Sequence, residues 1–235
     1  MKFVQYSHWD QLPASAAALF AKAEKTSLFL SRTWLQNLAA NALDDNQRLL
    51  LACVVDDDTV LAMLPLRTGP DGSWHSLSTY YSSLFSVLGP DSAPQPLVDC
   101  LADGLAGLGF ESLRLEPIAE DDPWLHRLQQ ALQARGFSTQ RLFHFVNWSH
   151  TLDGDSFERY LAQRPSRLRN TIARKYRKLQ REHHCTIRLF TDTDLDRALA
   201  DYAAVFKASW KDGERFPGFV PALVYKSAAA GWLRL

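Results

Sequence analysis

Two tyrosines and a serine stand side by side at Tyr80, Tyr81 and Ser82, and their hydroxyl groups suit the binding of a polar substrate. A phenol or alcohol oxygen both donates and accepts hydrogen bonds, and a tyrosine can also act as a general acid. We therefore predict that these three residues bind substrate. Because strands favour tyrosine for packing alone, a purely structural role is the alternative interpretation.

A second candidate site lies at Trp210 and Lys211, where a helix is predicted to end. A lysine in that position can satisfy the last helix carbonyls, and a tryptophan can line a cleft. We predict that both residues bind substrate and that Arg215 adds a contact for an anion. Aromatic side chains mostly serve packing, so a helix end with a core tryptophan is the alternative.

The strongest charge feature is the segment 164–181, which holds eight basic residues and no acidic one. Four apolar residues recur in it at helical spacing: Leu168, Ile172, Tyr176 and Leu179. This spacing predicts an amphipathic helix that packs along its apolar stripe and exposes a basic surface. Polyanion binding is predicted at four of the basic residues, namely Arg174, Lys175, Arg177 and Lys178. A merely solvated helix face is the alternative.

The histidines and cysteines do not form a metal-binding pattern. His183 and His184 adjoin Cys185, but adjacent side chains point to different sides of the chain and no HxxxH spacing accompanies them. The other cysteines, Cys53 and Cys100, are isolated and no CxxC pair occurs. We therefore predict buried free thiols and no metal, and the sequence assigns no catalytic residue.

Composition and charge are those of an ordinary globular protein. Hydrophobic residues make up 46% and charged residues 22% of the 235 residues. Lys plus Arg and Asp plus Glu number 26 each, so no net charge favours nucleic acid or membranes for the molecule as a whole. The first residues lack the features of a signal peptide and no apolar run has membrane-spanning length. We expect a cytoplasmic protein without a membrane span.

Periodicity predicts a mixed α/β fold with the order β, αα, βββ, α, β, α, β over residues 1–150. The predicted strands cover residues 2–5, 48–55, 59–67, 74–88, 112–116 and 138–148. The short polar side chains of Asp56-Asp57-Asp58 predict a tight hairpin turn between the second and third of them. The predicted helices cover residues 12–23, 32–42, 94–108 and 123–135, with Ser31 capping the second helix. The hydroxyl-bearing residues at 80–82 thus fall within a strand.

The second half of the chain starts with two predicted helices, 155–163 and 166–182, broken at Arg164-Pro165. A strand at 186–190, a helix whose capping box uses Thr193 and Asp196, a helix at 221–230 and a strand at 232–235 follow. The order β, αα, β has restarted, which indicates two copies of one domain plan. A chance coincidence of mixed elements is the alternative.

Three stretches carry a family resemblance. They are Phe29-Leu-Ser-Arg-Thr-Trp34, Tyr80-Tyr-Ser-Ser-Leu-Phe85, and Ala208-Ser-Trp-Lys211 with Phe216-Pro-Gly-Phe-Val-Pro221 and Gly231-Trp-Leu-Arg-Leu235. The element order resembles the GNAT acyltransferase fold, and the tandem plan resembles the Fem-type double-GNAT proteins. The stretches are similar to GNAT N-acetyltransferases involved in cellulose or exopolysaccharide biosynthesis.

The resemblance implies an α/β chain with a GNAT-like domain at 1–150, a basic helical connector at 151–184 and the start of a second GNAT-like domain at 185–235. It implies transfer of an acyl group, acetyl in the first instance, from acyl-CoA to an amine or hydroxyl of a small-molecule or sugar-linked acceptor. The polyanion at the basic helix would then be CoA phosphate, tRNA or another polyanionic surface. An aminoacyl-tRNA-dependent Fem-type transferase and a non-catalytic scaffold or nucleic-acid-binding module are the alternatives.

GNAT proteins hold the acyl-CoA pyrophosphate on backbone N–H groups at a strand-to-helix turn. The corresponding loop at 88–94 has two prolines without N–H groups and an aspartate that repels phosphate, so we expect a poor CoA site there. Family members continue past the Gly-Trp-Leu-Arg-Leu stretch. The resemblance therefore implies C-terminal truncation, with an incomplete active site, and poor anchoring of the residues after about Thr186.

Overall fold

A five-stranded sheet organises the first part of the chain in the computed structural model, which describes residues 1–148, 150–151, 154, 156–211 and 213–234. The strands are β1 (Lys2–Tyr6), β2 (Leu49–Asp56), β3 (Thr59–Thr68), β4 (Trp74–Ser76) and β5 (Leu113–Arg114). They are ordered in the sheet as in the chain. Neighbours are antiparallel except for β4 and β5, which are parallel.

Helices cover both faces of this sheet and continue into the second half of the chain. The first four are α1 (Ala16–Thr26), α2 (Arg32–Asn41), α3 (Gln95–Ala106) and α4 (Pro123–Ala134). The later ones are α5 (Phe157–Ala162), α6 (Ser166–His183), α7 (Leu195–Lys207) and α8 (Phe219–Ala229). None of the helices in the described residues combines the length and apolarity needed to cross a bilayer.

Strands β2 and β3 are buried on both faces, which explains why their sequences are continuous apolar runs rather than alternating ones. One core joins Leu50, Ala52 and Val54 of β2 to α3 and α4. The opposite core joins Leu51, Cys53 and Val55 to α1 and α2. Burial raises the pKa of the Cys53 thiol to about 12, so this cysteine stays protonated in the core.

Several local predictions are confirmed because short-range chemistry determines them. The Ser31 side chain accepts a hydrogen bond from the Trp34 backbone N–H at 3.1 Å and caps α2. Asp56 pairs with Thr59, so a two-residue turn joins β2 to β3. Helix α5 ends before Arg164, and α6 begins just after Pro165. The predicted element order therefore holds from β1 to α4.

The strand predicted at 74–88 is wrong beyond Ser76. The hydroxyl groups of Ser76 and Ser78 donate to the Glu116 carbonyl at 2.6 and 2.7 Å, so side chains replace the regular backbone ladder. Beyond Ser76 the chain keeps one backbone hydrogen bond to β3, from the Leu77 N–H to the Pro65 carbonyl at 2.9 Å, and it returns to the sheet where Leu88 bridges Met63. Residues 80–82 consequently lie in a turn instead of a strand.

The strand predicted at 138–148 is also wrong, since these residues form no strand. The segment begins tied by side chains to α4, where Gln129 and Gln133 donate to Thr139 at 3.0 and 2.6 Å. Strand β5, at the adjacent edge of the sheet, is only two residues long. Five large apolar side chains are left exposed: Leu142, Phe143, Phe145, Val146 and Trp148.

In the later segment, the strand predicted at 186–190 is absent and residues 232–234 form no strand, while Leu235 lies outside the described residues. Helix α7 starts at Leu195 with Asp194 as its N-cap, and no side chain caps it, so the predicted capping box is wrong. The poor anchoring expected after about Thr186 is wrong for α8, which buries Phe219, Val224 and Ser227. Phe219, the first residue of α8, is only 1% exposed and belongs to the core of α1 and α2.

Candidate functional site

A carboxylate joins the two adjacent tyrosines of the candidate site. The hydroxyl groups of Tyr80 and Tyr81 both donate to Oε1 of Glu214, Tyr80 at a distance of 2.5 Å, and their oxygens lie 2.9 Å apart. Tyr80 is 62% exposed, whereas Tyr81 is partly buried. The cluster therefore links the turn at 79–82 to the segment that leads into α8, and it remains open to solvent.

The protonation states of the cluster follow from these hydrogen bonds. Burial raises the pKa of Glu214, but hydrogen bonds from Tyr80, Tyr81 and nearby backbone groups outweigh burial and lower it below the usual 4.5. Burial first, and the bonds to Glu214 second, raise the pKa of Tyr80 and Tyr81. At neutral pH the site consequently holds one carboxylate and two neutral phenols.

Aromatic rings surround the cluster and fix its position. Tyr80 stacks on Phe216 at a centroid distance of 6.2 Å, and Tyr81 stacks on Phe219 at 4.1 Å. Phe219 in turn meets the edge of Trp34 at 5.3 Å. Such pairs contribute about 0.5–1.5 kcal/mol each beyond simple burial, so the rings hold the tyrosines firmly in place.

Helix α2 provides the base on which the site rests. The Trp34 indole N–H lies 3.4 Å from Oγ of Ser82, which is itself buried. The buried Asn37 donates its amide N–H to the Phe219 carbonyl at 2.9 Å. A Cβ on Gly218 would lie 3.2 Å from the Asn41 side chain, so glycine permits the close approach of α8 to α2.

Charged groups border the site on one side. Arg215 forms two hydrogen bonds with the Asp44 carboxylate, at 2.9 and 3.1 Å, and its guanidinium lies 5.1 Å from the centre of the Phe216 ring. Arg67 donates from Nε to the Ser78 carbonyl at 3.2 Å, and burial lowers its pKa. The Arg215 guanidinium, which was predicted to contact an anion, is thus paired with the Asp44 carboxylate of the chain itself.

Trp210 and Lys211, the second predicted pair, lie beyond the end of α7. Trp210 is 91% exposed, and the Lys211 ammonium is 5.8 Å from the centre of the Phe206 ring. Within the described residues, no hydrogen bond or ring contact joins either residue to the Tyr80–Glu214 cluster. The structure therefore brings together Tyr80, Tyr81 and Ser82, and leaves the second pair apart from them.

Arg174, Lys175, Arg177 and Lys178 lie on α6, where every one of them is exposed. The expected packing of the apolar stripe is wrong for the described residues, because all four of its side chains are at least 40% exposed. Lys178 contacts Glu182 at 3.5 Å, and Arg181 contacts the same carboxylate at 2.8 Å. The basic surface of α6 is therefore accessible to a partner.

The loop at 88–94 does not fit an acyl-CoA pyrophosphate. The Pro90 carbonyl accepts from the Trp124 indole at 3.0 Å, and the Ala93 carbonyl accepts from Arg127 at 2.7 Å. The loop thus presents carbonyls to its neighbours, and its Asp91 pairs with Lys22 at 2.9 Å. Proline at 94 and 96 removes donors from the start of α3, so the anion-binding arrangement is not formed here.

No group of three or more His, Cys, Asp or Glu side chains that could hold a metal occurs among the described residues.

Comparison with known proteins assigns a class to one part of the chain. Residues 166–235 match a family model described as an Acetyltransferase (GNAT) domain. The match begins at the first residue of α6, within the predicted connector, and includes Glu214 and α8. The match supports the general class of acetyltransferase for the protein. Neither the curated proteins nor the solved structures contain a match to the chain.

Glu214 is the residue that sequence reasoning missed. It lies 134 positions from Tyr80 in the chain, and no spacing pattern in the sequence predicts that the two residues meet. The only sequence signal is its place between the Trp210-Lys211 pair and the Phe216-Pro-Gly-Phe stretch. A partner for two adjacent tyrosine hydroxyls could be sought among the carboxylates, but 26 acidic residues offer no means of choosing one.

Proposed function

We propose that the protein is an acyltransferase that moves an acyl group, acetyl in the first instance, from acyl-CoA to an amine or hydroxyl acceptor. The match of residues 166–235 to the GNAT acetyltransferase domain carries this proposal. The acceptor in the proposal is a small molecule or a sugar-linked intermediate of envelope polysaccharide synthesis in the cytoplasm. A tandem GNAT plan of the Fem-like or cellulose-biosynthesis type belongs to the same proposal.

In this proposal Tyr80 and Tyr81 hold the acceptor. Their hydroxyl hydrogens point to Glu214, so the free lone pairs of the phenol oxygens can accept hydrogen bonds. A sugar hydroxyl or an ammonium group supplies the matching donors. Because the pKa of both phenols is raised, we assign them a positioning role and not that of a general acid.

The remaining predicted site residues have different places in the proposal. Ser82 orients the turn through Trp34, while the exposed Trp210 and Lys211 offer a surface for the more distant part of the acceptor. The loop at 88–94 takes no part in binding acyl-CoA. Transfer from aminoacyl-tRNA, the second candidate, has as support only the accessible basic surface of α6.

A transfer assay tests the acceptor site. With acetyl-CoA and a panel of amine and hydroxyl acceptors, Tyr80→Phe combined with Tyr81→Phe should raise the acceptor KM by about 3- to 10-fold, as expected for loss of a neutral hydrogen bond. The affinity for acetyl-CoA, measured by calorimetry, should stay unchanged. Tyr225→Phe is the matched control, because its hydroxyl also bonds to a carboxylate, that of Asp196, outside the site.

Two results would contradict the proposal. Absence of both acyl-CoA binding and acetyl transfer in the full-length protein would exclude the acyltransferase function. An unchanged acceptor KM in the double variant, with transfer intact, would remove the tyrosines from the acceptor site while leaving the function in place.

A further inference from the structure

Helix α6 stands apart from the rest of the described structure. It is 18 residues long, and none of its residues is buried. Its apolar stripe consists of Leu168, Ile172, Tyr176 and Leu179, whose side chains are between 40 and 52% exposed. At about 100° per residue these four positions fall within a sector of roughly 80°. The stripe is therefore a continuous apolar strip on an otherwise polar helix.

Basic residues flank this stripe on both sides. By the same helical geometry, Arg169 lies just beyond one edge of the stripe and Lys175 just beyond the other. Within the described residues neither of them forms an ion pair; the helix's ion pairs are those of Lys178 and Arg181 with Glu182. Long basic side chains in such positions can extend to charges above an apolar boundary while their methylene stems remain in it.

The combination of an exposed stripe with flanking cations separates two classes of polyanionic partner. An RNA groove attracts the basic residues through its phosphates but provides no apolar medium for the stripe. The boundary between lipid headgroups and acyl chains provides both, because it accepts apolar side chains and places anionic groups directly above them. The chemistry of the whole helix surface consequently favours a bilayer.

We propose that α6 binds the surface of a bilayer that contains anionic lipids, with the helix lying parallel to the membrane plane. Leu168, Ile172, Tyr176 and Leu179 enter the boundary below the headgroups. Arg169 and Lys175 contact lipid phosphates or carboxylates at its sides. The interaction is peripheral, since a helix with seven Lys and Arg residues lies on the bilayer without crossing it. This inference is independent of the acyl-transfer proposal.

Vesicle flotation of the protein tests this binding. Vesicles of phosphatidylcholine mixed with phosphatidylserine should carry the protein upwards, and added salt should reduce the bound fraction. Vesicles of phosphatidylcholine alone should bind at least about 10-fold less, as expected when the electrostatic attraction to anionic lipid is lost.

Substitutions in the stripe distinguish lipid insertion from simple charge attraction. Ile172→Ser combined with Tyr176→Ser changes helix propensity little, and both residues are exposed, so the fold should persist. We expect binding to anionic vesicles to fall by about 10-fold or more, because apolar insertion is lost. The matched control is Asn170→Ser on the polar side of the same helix, which should bind as the unmodified protein does. Circular dichroism checks that the total helix content is unchanged in each variant.

Four outcomes would overturn the proposal. The first is absence of binding to anionic vesicles, and the second is equal binding to vesicles without anionic lipid. The third is full vesicle binding by the stripe variant together with salt-sensitive RNA binding that the stripe substitutions leave unchanged. This result would identify the basic face of α6 as a nucleic-acid surface. The fourth is a dimer in light scattering that the stripe variant converts to a monomer, since the stripe would then be covered by a second copy.

Discussion

Helices α6 and α8 both lie within the range that matches the GNAT domain, yet they relate to the rest of the protein in opposite ways. Helix α6 has the stronger amphipathic pattern and buries no residue. Helix α8 has a much weaker pattern but inserts Phe219 into the core of α1 and α2. A periodic pattern thus predicts that a helix forms, whereas contacts with distant buried residues decide whether it docks.

Docking of α8 depends on a few contacts at its first turn. Phe219 is enclosed by Trp34 and Tyr81, and its carbonyl accepts from the buried Asn37. Pro221 is tolerated because it lies in the first turn, where its missing N–H has no helical partner. At the other end Gly231 adopts a positive φ of 73°, and the Trp232 N–H bonds to the Ser227 carbonyl at 2.8 Å. The helix is therefore short but defined at both ends.

Removal of the Phe219 ring should produce the largest change in stability. We expect Phe219→Ala to lower the free energy of unfolding by about 3–5 kcal/mol, because it leaves a cavity in the core. Phe157→Ala is the matched control, since Phe157 is also the first residue of a helix but is 64% exposed. It should change stability by less than about 0.5 kcal/mol. Urea denaturation measures both values.

Hydrogen exchange shows where the Phe219→Ala effect is located. If α8 opens by itself, its amides should exchange faster while those of β2 and β3 keep their protection. Equal, small effects of the Phe219 and Phe157 substitutions would contradict the docking of α8.

Features that depend on neighbouring residues could be predicted from the sequence. The Ser31 cap, the turn after Asp56 and the break at Pro165 all follow from short-range geometry, and each is present. The element order from β1 to α4 follows from apolar periodicity. The adjacent hydroxyl-bearing side chains of Tyr80 and Tyr81 are visible in the sequence as a pattern, and their role in substrate binding stays a prediction.

Features that depend on distant partners could not be predicted in this way. The run at 77–87 has a strand-like composition, but the hydroxyl of Ser78 bonds to the Glu116 carbonyl, 38 residues away. Glu214 acquires its role only through Tyr80 and Tyr81. The segment 138–148 has the apolar residues of a strand and no strand to pair with in the described structure. Tertiary contacts therefore override local propensity at the places where the site is built.

Acid should weaken the contact between Glu214 and the tyrosines, with a smaller effect than loss of Phe219. The folded-state pKa of Glu214 is depressed, so its stabilising contribution is present above the unfolded value of about 4.5 and is lost as pH falls through the folded value. Hydrogen exchange or proteolysis near residue 214 should accordingly increase below that pH. Glu214→Gln should remove this pH dependence, whereas Asp196→Asn should leave it in place as a control, because Asp196 bonds to Tyr225 instead.

The smallest effect on stability is expected from substitutions in the α6 stripe, which test whether this helix is unpacked in solution. Ile172→Ser with Tyr176→Ser should change the free energy of unfolding by less than about 0.5 kcal/mol, because neither side chain is buried. Val224→Ser in α8 is the informative counterpart, since Val224 is only 4% exposed and should cost clearly more in the same urea titration. If the stripe variant proved as destabilised as the Val224 variant, α6 would be packed in solution, and its apolar face would not be free to enter a bilayer.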